Sequence, residues 1–294
     1  IEKGGFYVCS SLKHISIPPI EIIEQNCFKD CISLIELTIP SSVIYISNTA
    51  FKNCKLLKKI VYENSSLDSI SPIFRNCSSL VEINLPQNLT TIENYCFLGC
   101  SSLEHLEIPP SVNEIGKKVF YKCNSLTEIS IPFNTTSIKV STFFKCTSLT
   151  YVAIPSSVES ICQNAFMGCS SLKHINIPQS VKLIDNAAFM NCTSLEEVEL
   201  RLSVTYIGTK VFKDCILLKN VVILLSINGI NKFTFENCKS LQKISFPQSM
   251  TCIKKYAFIN CSSLKEIDIP PLVKSIGKEA FNGCSSLVQI KVAF

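Results

Sequence analysis

The stretch Leu172-Lys173-His174-Ile175-Asn176-Ile177-Pro178-Gln179-Ser180-Val181 decides the fold. Ile175 and Ile177 alternate with polar neighbours, the period of a short strand buried on one side. Pro178 follows, and a proline has no N–H to give a ladder, so the pairing stops there. Val181 and Ile184 then carry the chain along a second side as a minor strand. Just upstream stand Phe166 and Cys169, three residues apart, with Leu172 three further on.

That arrangement recurs along the whole chain. Thirteen cysteines fall at 9, 31, 54, 77, 100, 123, 146, 169, 192, 215, 238, 261 and 284, the first step being 22 residues and every other step 23. Phe precedes each by three places and Leu follows each by three, without exception among the thirteen. An apolar residue stands six and eight places past every cysteine, and Pro stands nine past in nine of the thirteen units. Identity in so many columns defines a tandem array.

A single 23-residue coil has no closed core, so each must bury its edges against the next. The segment Gly277-Lys278-Glu279-Ala280-Phe281-Asn282-Gly283-Cys284 is too short for a full helix and reads as one or two helical turns that point Ala, Phe and Cys inward. Like strands then lie about 4.8 Å apart in a parallel sheet, and some thirteen coils extend roughly 60 Å. The expected fold is a solenoid of about 13 coils with a parallel sheet along one side. Residues 1–294 form one domain in this reading. The chain opens on Ile1 rather than Met and both ends show apolar coils, which points to a fragment of a longer array or to end-to-end self-association.

The unit Leu-x-x-Ile-x-Ile-Pro-x-x-Val-x-x-Ile-Gly-x-x-Ala-Phe-x-x-Cys-x-Ser resembles the BspA-like leucine-rich repeat, the 23-residue type also described from treponemal proteins. The resemblance covers essentially the whole chain. It implies a right-handed leucine-rich repeat superhelix, a β-rich α/β horseshoe with the parallel sheet on its concave side. It also implies a surface protein of a host-associated organism that adheres to host proteins or to other cells. Three coils depart from it. After Cys54, Tyr62-Glu63 replaces Ile-Pro and Ile70 comes one place late; after Cys192 and Cys215, Arg201 and Leu224 occupy the proline position. These coils are expected to bend or bulge.

Composition excludes several classes. With 47% apolar and 17% charged residues the chain is not disordered. Its densest aliphatic run, Val221 to Leu225, is too short to cross a bilayer, so any membrane attachment lies in a segment outside this sequence. There are 17 cysteines, yet stacked equivalent cysteines present parallel Cα–Cβ bonds rather than facing ones, which suits buried thiols better than disulfides. Zinc is disfavoured by the lack of any Cys-x2-Cys pair. Cys27 and Cys96 share a column with Ala50 and Ala165 and read as small core fillers, while Cys162 and Cys252 lie outside the ladder and are the expected exposed thiols.

Residues four, five and seven past each cysteine face outward from the main sheet. They carry eight basic and ten acidic groups, so the net charge of +5 lies elsewhere. Without a basic stripe, that face is no nucleic-acid reader. His14, His105 and His174 all fall five past a cysteine, too far apart for a catalytic pair. No phosphate loop, nucleophile elbow or metalloprotease motif is present. The regular Ser-Ser pairs after the cysteines read as turn residues bonded to local backbone. Sequons begin at Asn64, Asn76, Asn88, Asn134, Asn191 and Asn260; those at Asn64, Asn88 and Asn134 lie in turns open to a glycan.

The expected function is therefore non-catalytic protein binding, with no cofactor and no metal. The chosen contact patch is His105, Glu107, Glu128, Tyr151, His174 and Asn176, in which Tyr151 is the sole aromatic of its column and a suitable interface anchor. The cell surface or exterior is the expected location. The alternatives are a cytoplasmic scaffold for protein assembly and a binding module attached to another domain.

Overall fold

A computed structural model describes residues 1–200, 203–223 and 227–292. Arg201 and Leu224 lie outside the described residues. The contacts divide the chain into two compact units, Ile1–Thr135 with Thr142–Leu149, and Thr136–Ser141 with Thr150–Phe294. Each unit is a stack of parallel coils, about 12 turns over both. The thirteen cysteines bracket twelve complete coils, which accounts for the difference from the expected number.

In the first unit the main sheet contains Glu36–Ile39, Lys59–Tyr62 and Glu82–Ile83, paired in parallel with Glu36 opposite Lys59 and Lys59 opposite Glu82. Two-residue strands build a second side: Ile22–Ile23 pairs with Tyr45–Ile46, and Ser69–Ile70, Thr91–Ile92 and Glu114–Ile115 form a separate row. The second unit repeats the plan. Glu197–Leu200, Asn220–Ile223 and Lys243–Ser245 form one stretch of main sheet and Glu266–Ile269 with Gln289–Val292 another. Its second side runs from Ser137–Ile138 through Ser160–Ile161 and Leu183–Ile184 to Tyr206–Ile207.

The columns anticipated from sequence fill the interior. In the first unit the rings of Phe6, Phe28, Phe51, Phe74, Phe97, Phe120 and Phe143 stack with centroids 5.1 to 6.1 Å apart. In the second, Phe166, Phe189, Phe212, Phe235, Phe258 and Phe281 do so at 5.1 to 5.6 Å. Near-parallel rings at this separation fall within the range of favourable aromatic pairs, worth about 0.5–1.5 kcal/mol each beyond area burial.

The cysteines have a more specific role than filling space. Each Phe carbonyl accepts the N–H of the cysteine three residues on, as in Cys192 to Phe189 at 3.1 Å. The same oxygen also takes the thiol of the next coil, as in Cys215 Sγ to Phe189 O at 3.2 Å. Equivalent thiol bonds of 3.0 to 3.2 Å run through both units. Both lone pairs of a buried carbonyl are thereby satisfied, which a methyl group in place of the thiol could not do. All 17 cysteines are free: fourteen are buried, Cys162 and Cys252 are half-buried, and Cys9 is exposed.

The helical turns expected before each cysteine do not form, and no helix occurs among the described residues. Two residues of that segment are left-handed instead. The one immediately before the cysteine has positive φ in every coil, from Asp30 (63°) to Asn260 (62°), and the one five before does so in all coils but one. A right-handed helix cannot pass through either. The donors that a helix would use internally go to the neighbouring coil, for example Phe189 N to Val211 O at 3.0 Å and Asn191 N to Lys213 O at 2.8 Å. The Ser and Thr residues after the cysteines likewise bond one coil back rather than locally: Ser101 Oγ reaches Ser78 O at 3.2 Å and Thr193 Oγ1 reaches Ser170 O at 3.4 Å.

The exceptional coil is the one after Cys54. Pro72 stands where the left-handed residue belongs, and its ring forbids positive φ. Ser69 pairs with Thr91 only 22 residues on, and the second side is broken between Tyr45–Ile46 and Ser69–Ile70. The expected irregularity is thus a register shift. In the second unit a corresponding break separates Tyr206–Ile207 from Gly229–Ile230, where the Asn231 side chain donates to Ile207 O at 2.6 Å.

Replacing Phe189 by Ala removes a ring with 0% exposure and is expected to cost about 3–5 kcal/mol, read as a lowered denaturation midpoint. Burial also raises thiols in the middle of each ladder above their ordinary value of 9.0, to about 12 for Cys77 and Cys192. The folded state then holds thiol protons that the unfolded chain releases above pH 9.0, so stability is fully present below that value and lost above it. Thermal melts are expected to show a midpoint that falls progressively from pH 9 upward; a flat profile to pH 11 contradicts this.

Candidate functional site

Strand alternation sorts the side chains of the main sheet. In Tyr151–Ala153, Val152 is buried while Tyr151 stays 57% exposed. In Glu197–Leu200 the burial alternates strictly, Glu197 and Glu199 outward and Val198 and Leu200 inward. The outward columns are therefore the surface predicted for a partner.

All six residues of the predicted patch are exposed. His105, Glu107 and Glu128 belong to the first unit, and Tyr151, His174 and Asn176 to the second. His105 Nδ1 lies 3.5 Å from Thr127 Oγ1, one coil on. His174 makes an isolated parallel bridge to Glu197. The coil holding His105 has no strand there, so its outward residues sit on extended chain outside a ladder.

Charges on these faces pair across coils. Lys219 Nζ is 2.8 Å from Glu196 Oε2, and this hydrogen bond lowers the carboxyl pKa and raises that of the ammonium. Lys291 lies 3.8 Å from Asp268 and His14 lies 3.7 Å from Glu36. Exposed pairs of this kind are screened by water and contribute little to stability; their effect is on the pattern a partner meets.

The first unit also holds a trough of ≈ 830 Å³ lined by His14, Glu36, Thr38, Lys59, Val61 and Glu63, among others. The sequence-derived patch omitted it. The signal was present: Glu36 and Lys59 alternate in sign along one outward column, and Val61 is an apolar residue facing outward beside them. A smaller trough of ≈ 340 Å³ on the second unit is lined by Ser245, Phe246, Gln248, Asp268 and Lys291 with neighbours.

Among the described residues no three His, Cys, Asp or Glu side chains are placed to hold a metal ion. No described helix is long and apolar enough to cross a membrane. The amide nitrogens of Asn76 and Asn260 are committed to Asn53 Oδ1 and Asn237 Oδ1, each at 2.9 Å, in side-chain ladders that run from coil to coil. Asn64, Asn88 and Asn134 are exposed.

Comparison with known proteins follows the same lines. A leucine-rich repeat protein from Bacteroides ovatus is 28% identical, with a TM-score of 0.64, over 88% of this chain and 82% of its own. The T. pallidum leucine-rich repeat protein is 29% identical, with a TM-score of 0.52, over 55% of this chain and 78% of its own. A leucine-rich repeat protein from Eubacterium ventriosum has the same fold at 22% identity, with a TM-score of 0.55, over 91% of this chain and 81% of its own. No curated protein matches the chain. The BspA type leucine-rich repeat region matches residues 1–127, 113–227 and 206–293, and with that coverage the chain belongs to the BspA-type leucine-rich repeat family.

Proposed function

We propose that the chain is a non-catalytic adhesion scaffold that binds a protein ligand, such as a host extracellular or cell-surface protein, through the outward face of its main sheet. Leucine-rich repeat proteins of this family are usually protein-interaction scaffolds. The observation that supports the reading best is the contrast between the two faces of each strand. Inward columns are uniform in chemistry, whereas outward columns vary from coil to coil in charge and size, and a surface of mixed charges with an exposed tyrosine suits protein recognition. At the cell surface the exposed sequon residues Asn64, Asn88 and Asn134 would be open to glycosylation.

The anchors named are Tyr151 and His174, flanked by Asn176 on the second unit, with His105, Glu107 and Glu128 as contacts on the first. Tyr151→Ala combined with His174→Ala removes exposed groups without opening the core. In pull-downs from extracellular and cytosolic preparations the variant is expected to lose at least tenfold of the captured ligand, at an unchanged melting temperature. Undiminished capture would remove these two residues from the contact surface, and capture confined to cytosolic preparations would overturn the surface location.

A further inference from the structure

The turns before the cysteines carry a second, chemically different surface. Immediately before the cysteine, ten of the thirteen coils place Gly, Asn or Asp, the residues that enter the left-handed region most easily; two of the three exceptions are Lys122 and Lys145. Their φ values are 61° and 57°. Five places before the cysteine, Tyr95 and Lys118 are also left-handed, at 67° and 55°. Long side chains thus occupy positions where the backbone favours small ones, and such outliers concentrate at functional surfaces.

These side chains form one array on the first unit. The rings of Tyr121 and Phe144 stack at 4.5 Å. Lys118 Nζ lies 5.7 Å from the Tyr95 ring centroid and 5.8 Å from that of Tyr121, Lys122 lies 5.7 Å from Tyr121, and Lys145 lies 5.9 Å from Phe144. The second unit carries its own array. Phe233 and Tyr256 stack at 5.0 Å, with Lys210 at 5.7 Å from Phe233 and Lys255 at 4.5 Å from Tyr256. Among the ion pairs of the described residues none involves Lys118, Lys122, Lys145, Lys210 or Lys255.

We propose that this turn ridge binds a linear polyanionic glycan, a sulfated or carboxylated polysaccharide. The ammonium groups are held over aromatic faces, so their positions are fixed while their charge remains uncompensated. On the first unit Lys118 and Lys122 flank one coil, and Lys145 repeats the Lys122 position in the adjacent coil, about 4.8 Å along the stack. On the second unit Lys210 and Lys255 stand two coils apart. Such rows of charge suit an extended chain with repeating negative groups. Single-stranded nucleic acid fits less well, because the rings it would stack on already face lysines or one another. The arrays contain no arginine, the residue whose planar fork matches phosphate, and a ridge of tight turns offers no element to enter a duplex groove. This surface is separate from the outward sheet columns and makes a distinct ligand class available to the same protein.

The probe is heparin, titrated calorimetrically against the full chain, with a single-stranded oligonucleotide and neutral dextran in parallel. The variant K118N/K122N/K145N/K210N/K255N uses the residue found in the same columns at Asn26, Asn53, Asn76, Asn94 and Asn164, so the backbone accommodates it. Heparin affinity is expected to fall at least about tenfold in this variant and to fall steeply for the parent protein as salt is raised. The triple variant K118N/K122N/K145N, which leaves the second array intact, is expected to lose at least about threefold, and Y151A/H174A to lose nothing. No heparin binding by the parent, undiminished binding by either lysine variant, or tighter binding of the oligonucleotide than of heparin at equal salt would overturn the proposal.

Discussion

Everything in this protein depends on the phenylalanine carbonyl that accepts two donors, one from its own coil and one from the next. The cysteine N–H closes the turn within a coil; the thiol of the following coil then locks the two together. Because the oxygen lies in a dry interior between stacked rings, neither donor can be replaced by water without cost. The requirement is the same in every coil, and so the same pair of residues is repeated. Each coil is incomplete alone and supplies what its neighbour lacks.

That constraint explains how the remaining surface became free to vary. The inward columns hold the stack, and strand alternation releases the residues between them to face water. Ladder bonds from the left-handed turns run to the next coil through the backbone, so turn side chains outside the Asn and Asp ladders, such as Lys122 and Lys145, are released too. Two surfaces of different character result. The sheet face mixes acids and bases that pair across coils, as in Glu196 with Lys219, whereas the turn ridge concentrates lysines over aromatic rings. The net positive charge of the chain finds its place on the ridge, as the balance on the sheet face required.

The fold was legible because stacking converts equivalent positions into identical environments, and Phe, Cys and Leu recur without exception. The turns were not. Ala, Phe and Cys are spaced as on one helical face, a pattern that cannot reveal that the intervening backbone reverses at two left-handed residues. A partial signal existed in Asp30, Asn53, Asn76 and Gly99, all at the position before the cysteine, but Lys122 and Lys145 obscure it. Gly99 shows the logic: a Cβ there would meet Asn76 Oδ1 at 2.6 Å, so the amide ladder ends at glycine. The outward columns were identified correctly, yet the trough around His14 and Glu36 depends on three-dimensional relief, which column averages erase. Exposure of Cys9 was equally hidden, because in sequence it is indistinguishable from the buried members of its ladder.

The most direct measurement of the account is the number of thiols that react in the native protein. Brief alkylation followed by mass spectrometry is expected to modify Cys9, Cys162 and Cys252, and to spare the fourteen buried cysteines until denaturant is added. Rapid labelling of ladder members such as Cys123 or Cys192, or their recovery as disulfides, would contradict a dry interior built on thiol-to-carbonyl bonds.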